Sequence, residues 1–597
     1  MNIQNHFSDT ALLSLAELKM RLEQDCKLDA RKQREMISAI NTTAKWLNLP
    51  AEMIPASATF LRGKFQEIHP AHHHVTKRRV QNIKSLILSA MRSQGLSTKL
   101  GSYLAKMSPP WLKLWDIIEG EQYYRTEFSR FFRYCSKQEI APSAISDQVL
   151  ADYLQALEAE SFVKTPKVRQ QSICRLWNKC SELYQSQGWP QIKVTVPCYE
   201  TRRYALDDDQ LPPALLRELD AYLTSLSGTD PFNMQVKAFR PRSIKTIEGH
   251  FKRYISALHH QGVDLFGFSS LEALVTKEMF QLAMRWFWDR NGEQTSKHIG
   301  EIAWTIRCYA TKHLMADEET RAFYAGAMKR LRVSQDGLSD KNQRAMAQFD
   351  DPKTVERFLS LPPTLWEALS SSEKLGSSDR IRRKKRLLVQ SAVAIEILIF
   401  APMRLKNLQE IRLDEHIAWQ NERLHIHIPS DQVKNHLALD FLLPESVSKR
   451  VKRYIDTWRP FLASDHNPYL FPGRAGKPKD STCLRRQIET TLWNEGGIRL
   501  TPHQFRHAAA KILLDARPGH YEVVRKILGH KTLTTTYSHY AGAETQAALN
   551  LYDEVIIQKK GKKKIIIINN KDKLKNISLI LFSLIIFFWC HGFDKYY

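Results

Sequence analysis

Apolar residues recur at intervals of three and four through residues 1–330, while runs that alternate apolar and polar side chains are scarce. This spacing places apolar side chains on one face, so it predicts amphipathic helices. Three stretches share one order: an aromatic-rich helix, a connecting segment, a second helix, a polar turn containing threonine, and a third helix. Their turns are residues 74–77, 164–167 and 294–297. The order fits a duplicated unit, and it also fits unrelated hairpins of similar appearance; both interpretations stay open.

The pattern changes after residue 369. Residues 370–378 are rich in Ser and Gly and predict a loop, and six cations within residues 380–386 then open a helix. Residues 387–400 are apolar on almost every side, so we expect that helix to be buried. Residues 423–428 alternate as a strand does, and residues 437–443 form a second β-rich run. The predicted fold class is therefore mainly α, with a small β-sheet in the C-terminal half of a multi-domain chain.

A chain of 597 residues is too long for one hydrophobic core, so we expect several domains. Residues 206–235, rich in Asp, Pro and polar side chains, read as a linker between the second and third stretches. The predicted divisions are helical units at 1–105, 106–205 and 236–335, a mixed α and β domain at 345–556, and a tail at 557–597.

Charge narrows the class of partner. The chain has 88 Lys and Arg against 63 Asp and Glu, a formal net charge of +25. An excess of this size indicates a polyanionic partner, nucleic acid first and an anionic membrane second. The hydrophobic fraction of 43% argues against wholesale disorder.

The eight cysteines include no Cys-x-x-Cys pair, which fits a reducing cytosol without a zinc finger or a disulfide framework. The first residues contain no apolar run that could act as a secretory signal. His72, His73 and His74 lie together at a predicted turn, but no second cluster follows, so we assign them to the surface and expect no metal. No Walker loop and no carboxylate pair suited to Mg²⁺ occur, so we expect no cofactor.

The strongest chemical signal lies in residues 503–540. His503 and Arg506 are three residues apart, a spacing that puts both on one face of a helix. Both can donate hydrogen bonds and Arg is always charged, so the pair suits an anion such as a phosphate. A tyrosine hydroxyl downstream could then act as a nucleophile. Taken alone, His-x-x-Arg is more often a solvated helix face, and a single Tyr is more often a packing group.

The order of features in this segment is less common. The His-Arg turn is followed by two apolar helices, a Leu-Gly-His sequence ending at His530, a run of threonines, and then Tyr537 and Tyr540. The segment LGHKTLTTTYSHYAG resembles the C-terminal box of the tyrosine recombinase, or phage integrase, family. The resemblance covers residues 240–550 and implies a mixed α+β tyrosine recombinase catalytic domain at 345–556.

The resemblance also implies roles for single residues. Arg404 follows the buried helix and matches the first catalytic Arg of the family, and Lys434, in the turn between the two β-rich runs, matches its general acid. The remaining members of the implied catalytic set are His503, Arg506, His530 and Tyr540. One departure is Asn407, because the family usually has an acidic residue three positions after the first Arg; Asn can accept a hydrogen bond but carries no charge.

The nucleophile needs a choice between two tyrosines. Many family members place it nine residues after the Gly-His histidine, and here that position is His539. Tyr540 lies ten residues after His530, and Tyr537 lies seven residues after His530. The TTT-x-x-His-Tyr-Ala-Gly form resembles a family variant with the nucleophile at ten, so we predict Tyr540, with Tyr537 as the alternative.

These likenesses imply a site-specific DNA recombinase or integrase that cleaves and rejoins strands through a 3′-phosphotyrosine, without metal or ATP. They further imply double-stranded DNA as partner, a homotetramer on synapsed DNA, a cytoplasmic location on a bacterial-type nucleoid, and service to a mobile element. A type IB topoisomerase would use the same residues to rejoin the original strand. A DNA-binding regulator with a decayed active site is the alternative from another class.

Contacts to the DNA backbone are expected in two places. Residues 236–335 resemble the helical core-binding domain of the family, and a threonine N-cap at Thr295 with Lys297 in the first turn could touch a phosphate. The second place is the basic run, which we assign to backbone contact in preference to plain solvated surface; its predicted contact residues are Arg382, Arg383, Lys384 and Lys385.

From Lys559 onward the composition shifts to Lys, Ile, Asn and Phe, with nine Lys against two Asp. Residues 577–590 are apolar except for two serines, a stretch shorter than the roughly 20 residues that span a bilayer. We therefore expect a disordered or non-essential tail without stable membrane association. A surface or tail anchor is the alternative, and translation past an ancestral stop is our hypothesis for its origin.

Overall fold

The computed structural model describes residues 13–96, 105–199, 204–228, 238–333, 337–370, 379–463, 466–540 and 548–560. Two compact units divide the chain, Met1–Ser334 and Gln335–Tyr597. The fold class is confirmed: the described residues are mainly α-helical, with one three-stranded sheet.

The first unit is built from helices. Their bounds are Leu15–Gln24, Ala30–Leu47, Ala58–Glu67, Lys77–Ser93, Pro109–Ile117, Gln122–Lys137, Asp147–Glu160, Pro166–Leu183, Pro213–Ser225, Pro241–His260, Lys277–Arg290, Lys297–Cys308 and Glu318–Leu331. Apolar residues at three- and four-residue spacing form the buried face of each long helix, as the sequence predicts.

Three apolar clusters lie within this unit. One lies in residues 15–91, one in residues 111–194 and one in residues 211–324. The middle cluster is the most aromatic: the Trp111 and Phe132 rings are 4.6 Å apart, and Phe128 stacks on Phe132 at 5.1 Å. Large aromatic side chains bury much surface each, so a few of them can hold a small helical cluster together. The exact domain divisions stay predictions.

The threonine turns differ in their capping. Thr76 caps its helix, accepting a hydrogen bond from the Arg79 amide at 3.2 Å. Thr165 stands at the N-cap position without a side-chain capping bond. The predicted cap at Thr295 is wrong, because the helix begins at Lys297 and Ser296 accepts from the Ile299 amide at 3.3 Å. A hydroxyl must sit directly before the first helical residue to reach these amides, and Thr295 is one residue too early.

The predicted linker at 206–235 is also wrong in part. Residues 213–225 form a helix with Pro213 at its first position, where a missing amide hydrogen costs nothing. Leu215, Leu219 and Tyr222 from this helix are buried in the third cluster. Their spacing of four and three carries the helical signal, which the flanking Asp and Pro residues obscured.

The second unit contains the sheet. Its strands are β1 (Ile417–Gln420), β2 (Arg423–Ile428) and β3 (Leu439–Leu442), antiparallel in the order β1-β2-β3. Ile426 of β2 lies opposite Ile417 of β1 and Phe441 of β3. Strands β2 and β3 were predicted. Strand β1 was not, because it is short and largely exposed and so shows no alternation.

The other main elements described in this unit are helices. Their bounds are Asp340–Met346, Pro352–Ser370, Asp379–Phe400, Leu405–Gln409, Glu445–Arg453, Ser481–Thr491, Gln504–Ala516, Tyr521–Leu528 and Leu533–Tyr540, and residues 548–560 are also helical. The basic run forms the first turns of the helix Asp379–Phe400, and residues 391–398 of this helix are buried, as predicted. This buried helix ends at Phe400, close to the turn that carries Arg404.

No helix among the described residues has both the length and the hydrophobicity needed to cross a membrane. The predicted loop at 371–378 and nearly all of the predicted tail lie outside the described residues.

Candidate active site

Arg506 is held between two distant parts of the second unit. It lies in the first turn of the helix Gln504–Ala516 and is 4% exposed. Its Nη1 donates to the Pro402 carbonyl oxygen at 2.9 Å and its Nη2 to the Leu528 carbonyl oxygen at 2.6 Å. The guanidinium therefore links the turn after the buried helix to the end of the helix Tyr521–Leu528.

Arg404 comes from that same turn. It occupies the N-cap position of the short helix Leu405–Gln409, directly after the buried residues Ala401, Pro402 and Met403. Burial lowers the pKa of the half-buried Arg404 guanidinium. A cation anchored beside a buried helix is preorganised, which suits it to stabilise charge in a reaction.

His503 is the N-cap residue of the helix Gln504–Ala516. It therefore lies just before the helix, whereas the prediction from its i, i+3 spacing to Arg506 placed both residues within one helix. Part of its ring is exposed to solvent. Burial of the rest lowers the pKa of His503, and the charges of Arg506 and Arg404 lower it further. The charges of His539 and Lys434 act in the same direction.

His530 directly follows Gly529, which has a left-handed backbone conformation. Gly529 ends the helix Tyr521–Leu528 with φ of 59°, and a Cβ there would approach Leu439 Cδ2 to 2.9 Å. Glycine therefore suits both the backbone angle and the space. The His530 Nδ1 lies 3.0 Å from the Thr536 Oγ1. Burial, Arg506, His539 and Arg404 lower the pKa of His530 to about 4.

Lys434 lies exposed in the connection between β2 and β3, as predicted. The next residue, Asn435, donates a side-chain hydrogen bond to the Gly529 carbonyl oxygen. This bond ties the lysine turn to the corner that carries His530.

The two candidate nucleophiles have different surroundings. Tyr540 is 2% exposed, and its hydroxyl lies 2.8 Å from the His507 Nδ1. Burial raises the pKa of Tyr540, and the positive charge of Arg506 opposes that rise. Tyr537 is 45% exposed and stacks on Tyr521, with ring centroids 4.3 Å apart. Tyr540 is thus buried within reach of the charge of Arg506, whereas Tyr537 packs at the surface.

His507 is the member of this group that sequence reasoning missed. It is 7% exposed, its ring centroid is 5.3 Å from that of His503, and burial and nearby cations lower its pKa to about 4. Its position four residues after His503 in the sequence is the signal that could have identified it.

The residues of this candidate site carry positive charge that no nearby carboxylate within the described ranges balances. No ion pair to a carboxylate forms at Arg404, Lys434 or Arg506 among the residues described here. The residues brought together are Arg404, Lys434, His503, Arg506, His507, His530 and Tyr540. A cluster of donors without an internal acid is complementary to an anion from outside.

The other predicted contact residues lie elsewhere. Arg382, Arg383 and Lys384 are exposed and Lys385 is half-buried, all on the first turns of the helix Asp379–Phe400. Thr295 and Lys297 are exposed in the first unit. Their contact with DNA stays a prediction.

The described residues contain one group with the spacing of metal ligands, His250, His298 and Glu301, whose ligand atoms lie within 4.8 Å of one another. The His250 Nδ1 already faces the Thr305 hydroxyl at 2.7 Å, and burial lowers the pKa of both histidines, with the positive charge of Arg253 lowering it further. A neighbouring cation disfavours a metal, so we assign none.

The residues of this group fall within the part of the chain that resembles a known family. A sequence model of the phage integrase family matches residues 378–547. Tyrosine recombinase XerA of Pyrococcus furiosus is 31% identical over 96 residues, 16% of this chain and 32% of that protein. XerA of Pyrococcus horikoshii is 30% identical over 93 residues, 14% and 29% respectively. The chain thus spans about a third of the length of these curated relatives.

Two solved structures also align. XerH site-specific recombinase bound to its difH substrate has 16% identity and a TM-score of 0.28, over 54% of this chain and 89% of that chain. The Tn1549 transposon integrase with circular intermediate DNA has 16% identity and a TM-score of 0.33, over 56% and 98%. Residues 378–547 of this chain are therefore similar to the phage integrase family.

Proposed function

We propose that this protein is a site-specific DNA recombinase that cleaves and rejoins strands through a 3′-phosphotyrosine at Tyr540. The observation that carries the proposal is the buried Tyr540 hydroxyl, which shares its surroundings with Arg506 while the alternative Tyr537 packs on the surface. In this reaction the Tyr540 oxygen attacks a DNA phosphorus, the bond to the 5′ oxygen breaks, and the enzyme keeps the 3′ phosphate.

Charge neutralisation is the main barrier to this attack. A phosphodiester repels a nucleophile, and the pentacovalent state carries more negative charge than the ground state. Arg404 and Arg506 would neutralise the non-bridging oxygens, with His530 as a further donor. The two carbonyl bonds of Arg506 fix its orientation before the substrate arrives, so little reorganisation is needed.

Two protons must move. The Tyr540 hydroxyl loses one, for which His503 is the proposed base, because its lowered pKa leaves the imidazole neutral and able to accept. The departing 5′ oxygen gains one from Lys434, which lies exposed in a turn and is free to reach it. Rejoining reverses both transfers when a DNA 5′ hydroxyl attacks the phosphotyrosine, so the reaction requires no external energy source.

The biological setting is proposed on likeness. A homotetramer on two synapsed duplexes, a mobile-element origin and a place on a bacterial-type nucleoid follow from the family and from the net charge of +25. Residues 236–335, together with the basic start of the helix Asp379–Phe400, would hold the duplex by its backbone.

Covalent capture tests the proposal. The full chain is incubated with nicked, sheared genomic DNA of its source organism, adducts stable to detergent are collected, and the attached peptide is mapped by mass spectrometry. We expect the nucleotide on Tyr540, no adduct with Tyr540→Phe, and a normal yield with the matched control Tyr537→Phe. An adduct on any other residue would overturn the assignment.

The captured DNA then separates the related activities. Two copies of the recovered site on one plasmid should recombine if the protein is a recombinase. Relaxation of supercoils without exchange between the sites would favour the type IB topoisomerase, and binding without any adduct would favour the decayed regulator.

A further inference from the structure

We propose that His507 is a further catalytic residue, whose Nδ1–H donates a hydrogen bond to the Tyr540 oxygen and stabilises its negative charge during attack. The inference rests on the proposed role of Tyr540 as the nucleophile. It adds to that role a named donor, a defined tautomer of the imidazole, and a set of residues that fixes this tautomer.

The direction of the bond follows from a chain of four contacts. The Thr501 backbone N–H can only donate, and it does so to the Gln504 Oε1 at 2.9 Å. The Gln504 amide must then present its Nε2, which donates to the Asn342 Oδ1 at 3.0 Å. This fixes the Asn342 amide in turn, and its Nδ2 faces the His507 Nε2 at 3.4 Å.

This series of hydrogen bonds therefore determines which nitrogen of His507 carries the hydrogen. A neutral imidazole carries its hydrogen on one nitrogen only, and Nε2 must accept from Asn342. The hydrogen consequently lies on Nδ1, which points at the Tyr540 oxygen at 2.8 Å. Burial and the charges of His503, His539, Arg506 and His530 lower the pKa of His507 to about 4, so the ring stays neutral near pH 7.

This arrangement excludes His507 as the base. Its Nδ1 already holds a hydrogen and cannot take the phenol proton, which must leave toward the proposed base, His503. As the proton departs, negative charge grows on an oxygen that already accepts from His507. A donor aimed at developing charge in a water-poor site accelerates a reaction, typically by ~10²- to 10³-fold.

Asn342 and Gln504 are positioning residues in this scheme. Neither is assigned a contact with the substrate. Asn342 lies in the helix Asp340–Met346, more than 160 residues from His507 in the chain. Their proposed effect is to keep the imidazole in the Nδ1–H form, in place of the form with hydrogen on Nε2.

The tautomer can be measured without DNA. Nitrogen-15 labelled histidine in the full chain gives distinct shifts for the two neutral tautomers, and the signal missing from His507→Asn assigns residue 507. We expect the Nδ1–H form between pH 6 and 8, and a shift toward a mixture in Asn342→Leu. An Nε2–H form in the unaltered protein would overturn the inference, whatever the protein does to DNA.

Kinetics with the captured DNA test the catalytic part. We expect His507→Phe to slow formation of the Tyr540 adduct by ~10²- to 10³-fold and to move the rising limb of its pH profile to higher pH. His507→Asn keeps a donor near the Nδ1 position and should recover most of the rate. His507→Gln, whose amide reaches toward the Nε2 position, is the matched control and should stay slow.

The two proposals fail in different ways. If the unaltered protein forms no adduct on Tyr540, the proposed function falls, while the tautomer measurement still decides the hydrogen bond. If that adduct forms and a folded His507→Phe, verified by thermal unfolding, makes it at the normal rate, then His507 is not catalytic and only the inference falls.

Discussion

Arg62 in the first unit and Arg506 in the second are both buried, at 8% and 4% exposed, and both donate to backbone carbonyl oxygens. Arg62 donates to Leu157 at 3.1 Å and Ser161 at 2.9 Å, at the end of the helix Asp147–Glu160. It thereby satisfies carbonyls that a helix end leaves without partners. By burial and bonding alone, the two arginines would be assigned the same structural role.

Their charged neighbours differ. Burial lowers the pKa of Arg62 and the carboxylate of Glu158 raises it, so an acid offsets part of the cost. Burial and a second cation, Arg404, together lower the pKa of Arg506 to about 10. The second unit can also pair a buried charge when stability is the need, as Arg450 does with Glu396 at 2.9 Å. An uncompensated group of cations therefore marks a site for an anion, which burial alone does not.

Replacing each arginine by lysine is the strongest way to test this difference. Lysine keeps the charge but loses the planar fork that can hold two carbonyls and still face a phosphate. We expect Arg506→Lys to slow adduct formation by ~10³-fold. Arg62→Lys should lower the thermal midpoint of the first unit while leaving the adduct rate within threefold. Equal losses of activity would remove the distinction between the two arginines.

A second prediction tests the proposed proton transfer from Lys434 to the leaving 5′ oxygen. We expect Lys434→Ala to slow cleavage of ordinary DNA by ~10²-fold, because the 5′ oxygen then leaves without a proton. DNA with sulfur in place of that bridging 5′ oxygen has a leaving group that needs no proton, so both proteins should cleave it at similar rates. Lys406, exposed on the nearby helix Leu405–Gln409, supplies the control Lys406→Ala, which should behave as the unaltered protein on both substrates.

The sequence predicted most of what local pattern controls. The helices of the first unit, the buried helix after the basic run, strands β2 and β3 and the turn with Lys434 follow from periodicity and turn residues. Strand β1 could not be predicted in this way, because its residues are mostly exposed and its pairing is set by β2. The helix Pro213–Ser225 was obscured by turn-forming neighbours, although its leucines carry the signal.

The candidate site shows the same limit. The types and order of Arg404, Lys434 and Tyr540 were visible in the sequence through a family resemblance. The hydrogen bond between Tyr540 and His507 was not, because it depends on the packing of Asn342 and Gln504, which no spacing rule connects. Contacts between residues far apart in sequence arise from tertiary packing, so they need coordinates.

The smallest expected effect concerns pH and stability. The pKa of His507 is about 4 in the folded protein against an ordinary 6.5, so between these values the unfolded chain binds more protons. Stability from this group is complete above pH 6.5 and is lost as the pH falls toward 4. His530 behaves alike. We expect protonation of His507 to cost the second unit up to about 2 kcal/mol on going from pH 7 to pH 5, and that of the half-buried His530 to cost less, because solvent screens its charge. Calorimetry of the full chain at several pH values should show the unfolding temperature of this unit falling as the pH falls, with a flatter slope in His507→Asn, which cannot titrate.

His466, exposed in the same unit, gives the control His466→Asn, whose slope should match that of the unaltered protein. An unchanged slope in His507→Asn would mean that the imidazole has the same pKa in the folded and unfolded chain, which would contradict the lowered pKa of His507.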